Sequence, residues 1–460
     1  MLEGGIVHAS SVNRMGYEPD KNNFQPRIGF AYKITDKMVL RGGYGMQSTP
    51  QSEYPPTTGF SSTTSMVTSV EPGKPYNVLS NPYPDGINSP TGDSLGLATY
   101  LGQNVSFYYP THVTALSHNF SLGIQYEFPY QMVLNVSYVG QRVTTLGNQS
   151  HDMNGIPGPQ WEELGFSLET MVPNPFEGLL PGTPYNGPMI QQGQLLKPYP
   201  QFGSVNELQR TNAKRWYDAA QLSFEKRLSK GLMVMFNYTF GKTIGQNEYL
   251  NGAQDRVDQM TKMIIPPDRN HVTNIAASYI LPFAANSTGI TRQLFYGWNL
   301  STTMTYQSGS PIGPLMGMEW TGVDPKLDNP TSQRYFNTCT LAADGVTRQN
   351  CASASEPVAW TIIPPYTLRH TEVFLGVMRP PAQAFKAGIN AAFFKQFTIT
   401  ESVRLEFRSE FFNLFNSASF GSGSFGANVD TNPNSPNFGQ LSPNQANEPR
   451  VGQMSLRLTF

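Results

Sequence analysis

The sequence predicts an all-β chain, specifically an antiparallel transmembrane β-barrel, and three observations predict it. Apolar and polar residues alternate with a period of two in eleven separate segments, the pattern of strands that have one apolar and one polar face. The connections between these segments alternate strictly between short and long, as in a barrel with tight turns at one rim and long loops at the other. The chain ends on Met454-Ser455-Leu456-Arg457-Leu458-Thr459-Phe460. Here Met454, Leu456, Leu458 and Phe460 share one face, a pattern that invites aggregation at a free soluble edge but suits the closing strand of a barrel.

Composition points the same way. Charged residues make up 14% of the 460 residues, against about 25% in ordinary globular domains. Glycine (42), proline (37), tyrosine (22) and phenylalanine (28) are abundant, which suits many strands joined by long polar loops and does not suit a helical protein. Lysine and arginine (31) nearly balance aspartate and glutamate (32), and no basic run appears, so nucleic-acid binding has no electrostatic footprint. No stretch of eighteen apolar residues occurs, so no helix can span a membrane. Mean hydropathy is -0.35, a value that a barrel strand, apolar on only one face, leaves low.

Taken in order, the first segment is Arg27 to Ile34, with Ile28, Phe30, Tyr32 and Ile34 on one face; after Thr35-Asp36-Lys37 comes Met38 to Met46. The third sets Phe120, Leu122, Ile124, Tyr126 and Phe128 against Asn119, Ser121, Gln125 and Glu127, and the fourth carries Met132, Leu134, Val136 and Tyr138. The fifth holds Ala220, Leu222 and Phe224; the sixth holds Leu232, Val234, Phe236, Tyr238 and Phe240. Thr273 to Leu281 and Trp298 to Tyr306 are the seventh and eighth. The ninth takes Phe385, Ala387, Ile389, Ala391 and Phe393, the tenth Val403, Leu405, Phe407 and Phe411, and the eleventh is the C-terminal segment. Such lengths match the roughly 9–11 residues of a tilted membrane crossing.

Short connections follow the odd-numbered segments, and long ones, at approximately 47–115, 144–216, 245–269, 309–384 and 414–449, follow the even-numbered ones. Long loops on one side only are an outer-membrane feature, with short turns in the periplasm and long loops outside. The eleventh strand then runs down to the periplasm, and so does the first. Residues 1–24 are expected to be the tail of an extracellular loop, and 25–460 strands and loops. Eleven strands with an external N-terminus are expected to be part of a larger barrel, since complete barrels have an even count. The first twenty residues lack a basic start followed by an apolar core, so they are not expected to be a signal peptide.

The segments Asn23-Phe24-Gln25-Pro26-Arg27-Ile28-Gly29-Phe30-Ala31-Tyr32, Arg41-Gly42-Gly43-Tyr44-Gly45, Asp268-Arg269-Asn270-His271 and Tyr279-Ile280-Leu281-Pro282 resemble the barrel of Oar-like TonB-dependent outer-membrane receptors. So do Arg404-Leu405-Glu406-Phe407-Arg408-Ser409-Glu410-Phe411-Phe412-Asn413-Leu414-Phe415-Asn416 and the closing Arg457-Leu458-Thr459-Phe460. The resemblance spans nearly the whole chain. It implies a barrel of about 22 strands, an N-terminal plug, a regulatory-like domain before it, and uptake of an unidentified solute driven through the TonB complex. Plug and TonB-contacting segment are not recognised in this chain, so alone it is expected not to perform energised transport.

On the tenth strand Arg404, Glu406, Arg408 and Glu410 occupy the face opposite the apolar one. Near the lipid midplane each would cost a few kcal/mol, so they are expected to face the lumen. They form either a ladder toward plug or ligand or, the favoured reading, an ion-pair lattice bracing neighbouring strands. Tyr32, Tyr44, Tyr138, Trp298, Tyr306 and Phe460 are placed for interfacial girdles. Cys339 and Cys351 share one loop, and an oxidising compartment favours a local disulfide over two separate thiols. Met454, Leu456, Leu458 and Phe460 are the expected signal for the barrel-assembly machinery.

No catalytic residue, metal or cofactor is expected. His8, His112, His118, His151, His271 and His370 show no metal-ligand spacing, and no GxSxG elbow occurs. Gly421-Ser422-Gly423-Ser424-Phe425-Gly426 matches GxGxxG, but no helix follows to cradle a phosphate. Loops 47–115 and 309–384 are the expected ligand-contacting surfaces. A stand-alone outer-membrane adhesion or pore protein is the alternative function, and a secreted soluble β-protein the third.

Overall fold

The structure is a computed structural model that describes residues 4–8, 10, 17–49, 59–64, 66, 68–71, 73–84, 86–111, 113–148, 150–265, 268–312, 315, 317–369, 379, 388–420, 429–445 and 447–460. Phe385 and Ala387 of the expected ninth strand, His112, His370 and the GxGxxG segment lie outside the described residues.

Eleven long strands form one continuous antiparallel sheet in sequence order. They are β1 (Arg27–Thr35), β2 (Met38–Thr49), β3 (Ala115–Phe128), β4 (Met132–Leu146), β5 (Ala213–Ser229) and β6 (Leu232–Tyr249). Then come β7 (His271–Ile280), β8 (Asn299–Gln307), β9 (Ile389–Thr398), β10 (Arg404–Phe412) and β11 (Val451–Thr459). A further strand, Met260–Ile264, pairs with the outer half of β6. Among the described residues the sheet is open, β1 pairing only with β2 and β11 only with β10. The alternation expected from the sequence sets this order, because each tight turn can return the chain only to an adjacent antiparallel position.

The tight turns are built for hairpins. Tyr130 and Gln131 have φ of 62° and 60°, and Lys230 and Gly231 have 49° and 78°. Two successive positive φ values give the turn twist that matches the strands on either side. The β7–β8 connection is longer and contains a short helix, Gly289–Phe295.

Register shows how the strands lean. One hydrogen-bonded row passes from Phe128 and Met132, beside a tight turn, through Lys226, Val234, Ala277, Thr302 and Ala391. It ends at Phe411 and Gly452, beside the long loop between β10 and β11. A row perpendicular to the strands that starts at one rim and finishes at the other means strands inclined to the wall, as barrel closure requires.

Buried cores lie in the long connections. Ile312, Leu315, Met318, Phe336, Ala359, Trp360 and Phe438 form the largest. It sits under a small sheet made of Met318–Trp320, Trp360–Ile362, Thr340–Leu341 and Arg348–Gln349. A second core, Val105, Phe202 and Val205, supports the sheet of Val105–Tyr108, Val205–Leu208 and Ser150–Asp152. A third joins Phe176, Leu180 and Ile190. The wall, by contrast, exposes large apolar residues such as Leu122, Val136, Phe240 and Leu300.

Glycines on the apolar face are filled by rings from the next strand. Phe30 is directly opposite Gly42, and a Cβ built on Gly42 would lie 2.5 Å from the Phe30 ring. Phe120 is likewise opposite Gly140, and its ring occupies the place of the missing side chain. This cross-strand packing pins register. Replacing Gly140 with valine should therefore destabilise the sheet by about 1–3 kcal/mol. The expected readout is a lower urea midpoint for the heat-modifiable folded band, partly restored by Phe120→Ala; an unchanged midpoint would show that the ring does not occupy that position.

Candidate functional site

The functional surfaces follow from the two faces of the wall and from the loops at one rim. The row Phe30, Gly42, Leu122, Tyr138, Ala220 and Phe240 shares the apolar face. So does the row Tyr279, Leu300, Phe393, Ser409 and Met454. The opposite face carries Asn119, Gln125, Asn135, Gln221, Asn237, Asn274 and Thr303, with apolar residues such as Val139, Met235 and Phe394 interspersed.

Charged groups do occur on the apolar face, at its two margins, and the sequence reading missed them. Toward the tight turns, Lys226 Nζ donates to Ser229 O (3.0 Å), Ser229 Oγ (2.7 Å) and Leu232 O (3.0 Å). Lys395, only 3% exposed, donates to Tyr296 O at 2.5 Å and lies near the Trp298 and Phe397 rings. Both stems run along apolar surface while the ammonium reaches the rim. Toward the long loops, Arg142 Nη2 meets Asp218 Oδ1 at 2.7 Å, and the Tyr138 hydroxyl donates to the same carboxylate. The hydroxyls of Tyr44 and Tyr238 each lie 2.7 Å from a histidine Nδ1, of His118 and His271 respectively. Tyrosines with the ring on the apolar band and the hydroxyl on a polar margin have the arrangement of an interfacial girdle.

On the polar face of β10, Arg404, Glu406, Arg408 and Glu410 stand opposite Thr459, Arg457, Ser455 and Gln453 of β11. Arg408 and Glu410 are 2.6 Å apart, and Gln453 Nε2 donates to Glu410 Oε2 at 2.5 Å. The Arg408 guanidinium also covers the Phe394 ring at 5.1 Å. These contacts run along β10 and across to its neighbours on both sides. Met454, Leu456, Leu458 and Phe460 lie exposed on the other face of β11, Phe460 at 92%.

At the loop rim, three long connections are tied together by residues 366–369. The Tyr366 hydroxyl donates to Glu169 Oε1 (2.6 Å), Leu368 N to Glu162 Oε1 (3.0 Å) and Arg369 N to Asn251 Oδ1 (2.8 Å). The Tyr366 ring packs between Trp161 and Phe166, at centroid distances of 5.1 and 5.2 Å. A second tie is buried. Arg379 pairs with Asp268, which is 1% exposed and also accepts the backbone N–H of Thr243. The burial of Asp268 could not be read from its motif; its only signal was a carboxylate placed just before a strand.

Cys339 and Cys351 are bonded to each other, Sγ to Sγ 2.00 Å. With Glu356 they are the one cluster among the described residues spaced like metal ligands, and the sulfurs' bond to each other leaves no thiolate for a cation.

His151 is buried in the Ser150–Asp152 strand against Tyr249, with ring centroids 4.3 Å apart. Burial holds its imidazole below the ordinary histidine value, partly opposed by Asp152 and Glu207. A base with a depressed folded value binds fewer protons folded than unfolded, so its contribution is present above about pH 6.5 and fades as pH falls through the folded value. Protection of 150–152 and 205–208 against hydrogen exchange, taken relative to the intrinsic rate at each pH, should fall below about pH 6.5, and His151→Gln should flatten that dependence. Equal acid sensitivity in both proteins would refute the assignment.

No curated protein matches the chain. The ferripyoverdine receptor of Pseudomonas aeruginosa bound to ferripyoverdine is similar at 10% identity and a TM-score of 0.38, over 95% of this chain and 32% of that one. The ferric-catecholate import receptor Fiu from K12 E. coli matches at 10% identity and 0.35, over 94% and 34%. The outer-membrane transporter YddB from Escherichia coli matches at 8% and 0.40, over 95% and 40%. This chain thus spans well under half the length of these structures. A family model described as an outer membrane beta barrel domain matches residues 2–453, and the chain belongs to that family, its strands forming wall in the outer membrane of a Gram-negative-type cell.

Proposed function

We propose that this chain is the wall and mouth of a TonB-dependent receptor that takes up a solute from outside the cell. The observation that carries the reading is the position of the packed cores: Trp360, Phe336 and Phe438 order the long outer loops, while among the described residues the wall carries none of comparable size. A bare pore needs no such mass at its mouth, whereas a receptor needs a pre-formed surface to capture ligand before transport. The Oar-like strand motifs support the same reading. In it the unpaired sides of β1 and β11 join further strands in a barrel of about 22, around a plug that touches the TonB complex and is not recognised in this chain.

In this reading Arg404, Glu406, Arg408 and Glu410 face the lumen and brace β10 to β11. Each wet pair contributes about 0–1 kcal/mol. Met454, Leu456, Leu458 and Phe460 present the apolar edge that the assembly machinery takes up. The Cys339–Cys351 bond then closes an outer loop in an oxidising compartment.

The test uses the full-length protein. Its outer-membrane recovery should fall sharply when Phe460 is deleted, and in planar bilayers the untreated protein should show no steady conductance, because a plug fills the lumen. Steady conductance would assign a free-standing pore instead. Recovery in the soluble fraction would overturn both.

A further inference from the structure

Loops β8–β9 and β10–β11 meet at the rim. Tyr335 N donates to Gly439 O and Leu441 N to Ser332 O, each at 2.8 Å. Between them lies an open groove of about 520 Å³, lined among others by Ser332, Gln333, Phe420, Asp430, Asn437 and Gln440. That volume is in the range of small-ligand sites, roughly 300–1,000 Å³.

The groove's chemistry is selective. The side-chain amides of Gln333, Asn437 and Gln440 and the hydroxyl of Ser332 make no hydrogen bond among the described residues. Each carboxamide offers a planar donor and acceptor pair. The Asp430 carboxylate accepts Asn432 N and Ser435 Oγ, one on each oxygen, so each oxygen keeps accepting capacity. No lining residue carries positive charge. The nearest arginine in sequence, Arg334, is paired with Glu356. Anionic ligands therefore lack a counter-charge, and a purely apolar ligand would strip water from unpaired amides at a cost. Phe420, 42% exposed, adds one ring face, beside the smaller apolar side chains of Val429, Leu441 and Pro443.

We infer that this groove binds a neutral saccharide. Vicinal hydroxyls match the amide and carboxylate pairs, and the C–H face of a pyranose ring matches the phenylalanine. The assignment names a ligand class for the receptor mouth proposed above; its part in uptake rests on that reading, while binding itself does not.

The experiment titrates full-length protein in detergent with maltohexaose, cellohexaose, xylohexaose and mannohexaose, with hexagalacturonate as the charged comparison. At least one neutral hexasaccharide should bind with a sub-millimolar Kd. The double variant Asn437→Ala/Gln440→Ala, and separately Phe420→Ala, should weaken it about tenfold or more, with folding checked by the heat-modifiable band. Binding of hexagalacturonate alone, no binding of any neutral probe, or equal binding by correctly folded variants would overturn the proposal. Uptake of the bound sugar in cells with and without TonB separates the two claims: uptake that ignores TonB defeats the receptor reading and leaves the groove standing.

Discussion

The rest of the molecule depends on one constraint, that backbone N–H and C=O groups inside hydrocarbon must find each other. Each unpaired group there costs several kcal/mol. Nine of the eleven wall strands meet the requirement with a neighbour on each side. The lean of the strands, the positive-φ turns at Tyr130–Gln131 and Lys230–Gly231, and the unbroken antiparallel order all keep that ladder continuous. Among the described residues, the outer sides of β1 and β11 are the two edges of the sheet without a hydrogen-bonded neighbour.

The same constraint fixes where everything else can go. With lipid on one face, apolar side chains need no protein partner, so the wall carries few buried residues and the cores form in the loops. With no charge tolerated at mid-depth, Lys226 and Lys395 reach the tight-turn rim, and Arg142 and Asp218 neutralise one another at the other. Close packing within the wall is left to neighbouring strands, which explains why Phe30 and Phe120 lie over Gly42 and Gly140. Larger residues at those glycines would force the hairpins apart.

The wall was largely legible because its period of two is set by lipid on one side and water on the other. Strand order, faces and four of the five short connections follow from it directly; Lys395 and Gln396, expected between the ninth and tenth segments, lie inside β9, which runs on to Thr398. Ends were less so. Strands β5 and β6 run 17 and 18 residues, well past the alternating cores of Ala220–Phe224 and Leu232–Phe240. Their outer halves, with Arg215, Asp218, Lys242 and Asn247, run on beyond those cores toward the long loops, and alternation breaks down there. Charges on the apolar face were missed for a related reason: a face average does not show that Lys226 and Lys395 lie at a margin. The loop sheets were not legible at all. Strands of two to four residues such as Thr340–Leu341 and Val105–Tyr108 have no period to read, and their partners lie well apart in the chain, Trp360 for Thr340 and Val205 for Val105. Gln333, Asn437 and Gln440 look in sequence like ordinary loop amides, and only the meeting of two loops sets them around one groove.

That meeting has a mechanical consequence. A loop closed on its own strands can move alone; these cannot. Residues 366–369 tie the β8–β9 loop to the β4–β5 and β6–β7 loops, and Leu441 and Gly439 tie it to the β10–β11 loop. Displacing it must also part Arg379 from a fully buried Asp268. Breaking a buried pair by separating its partners is costly, because each charge is left without compensation. The pairing of Val105–Tyr108 with Val205–Leu208 adds the β2–β3 loop to the same body. On the proposed receptor reading, capture at this rim relies on a surface held in place before the ligand arrives, and any movement that passes a ligand inward has to move five loops together or come from beneath them.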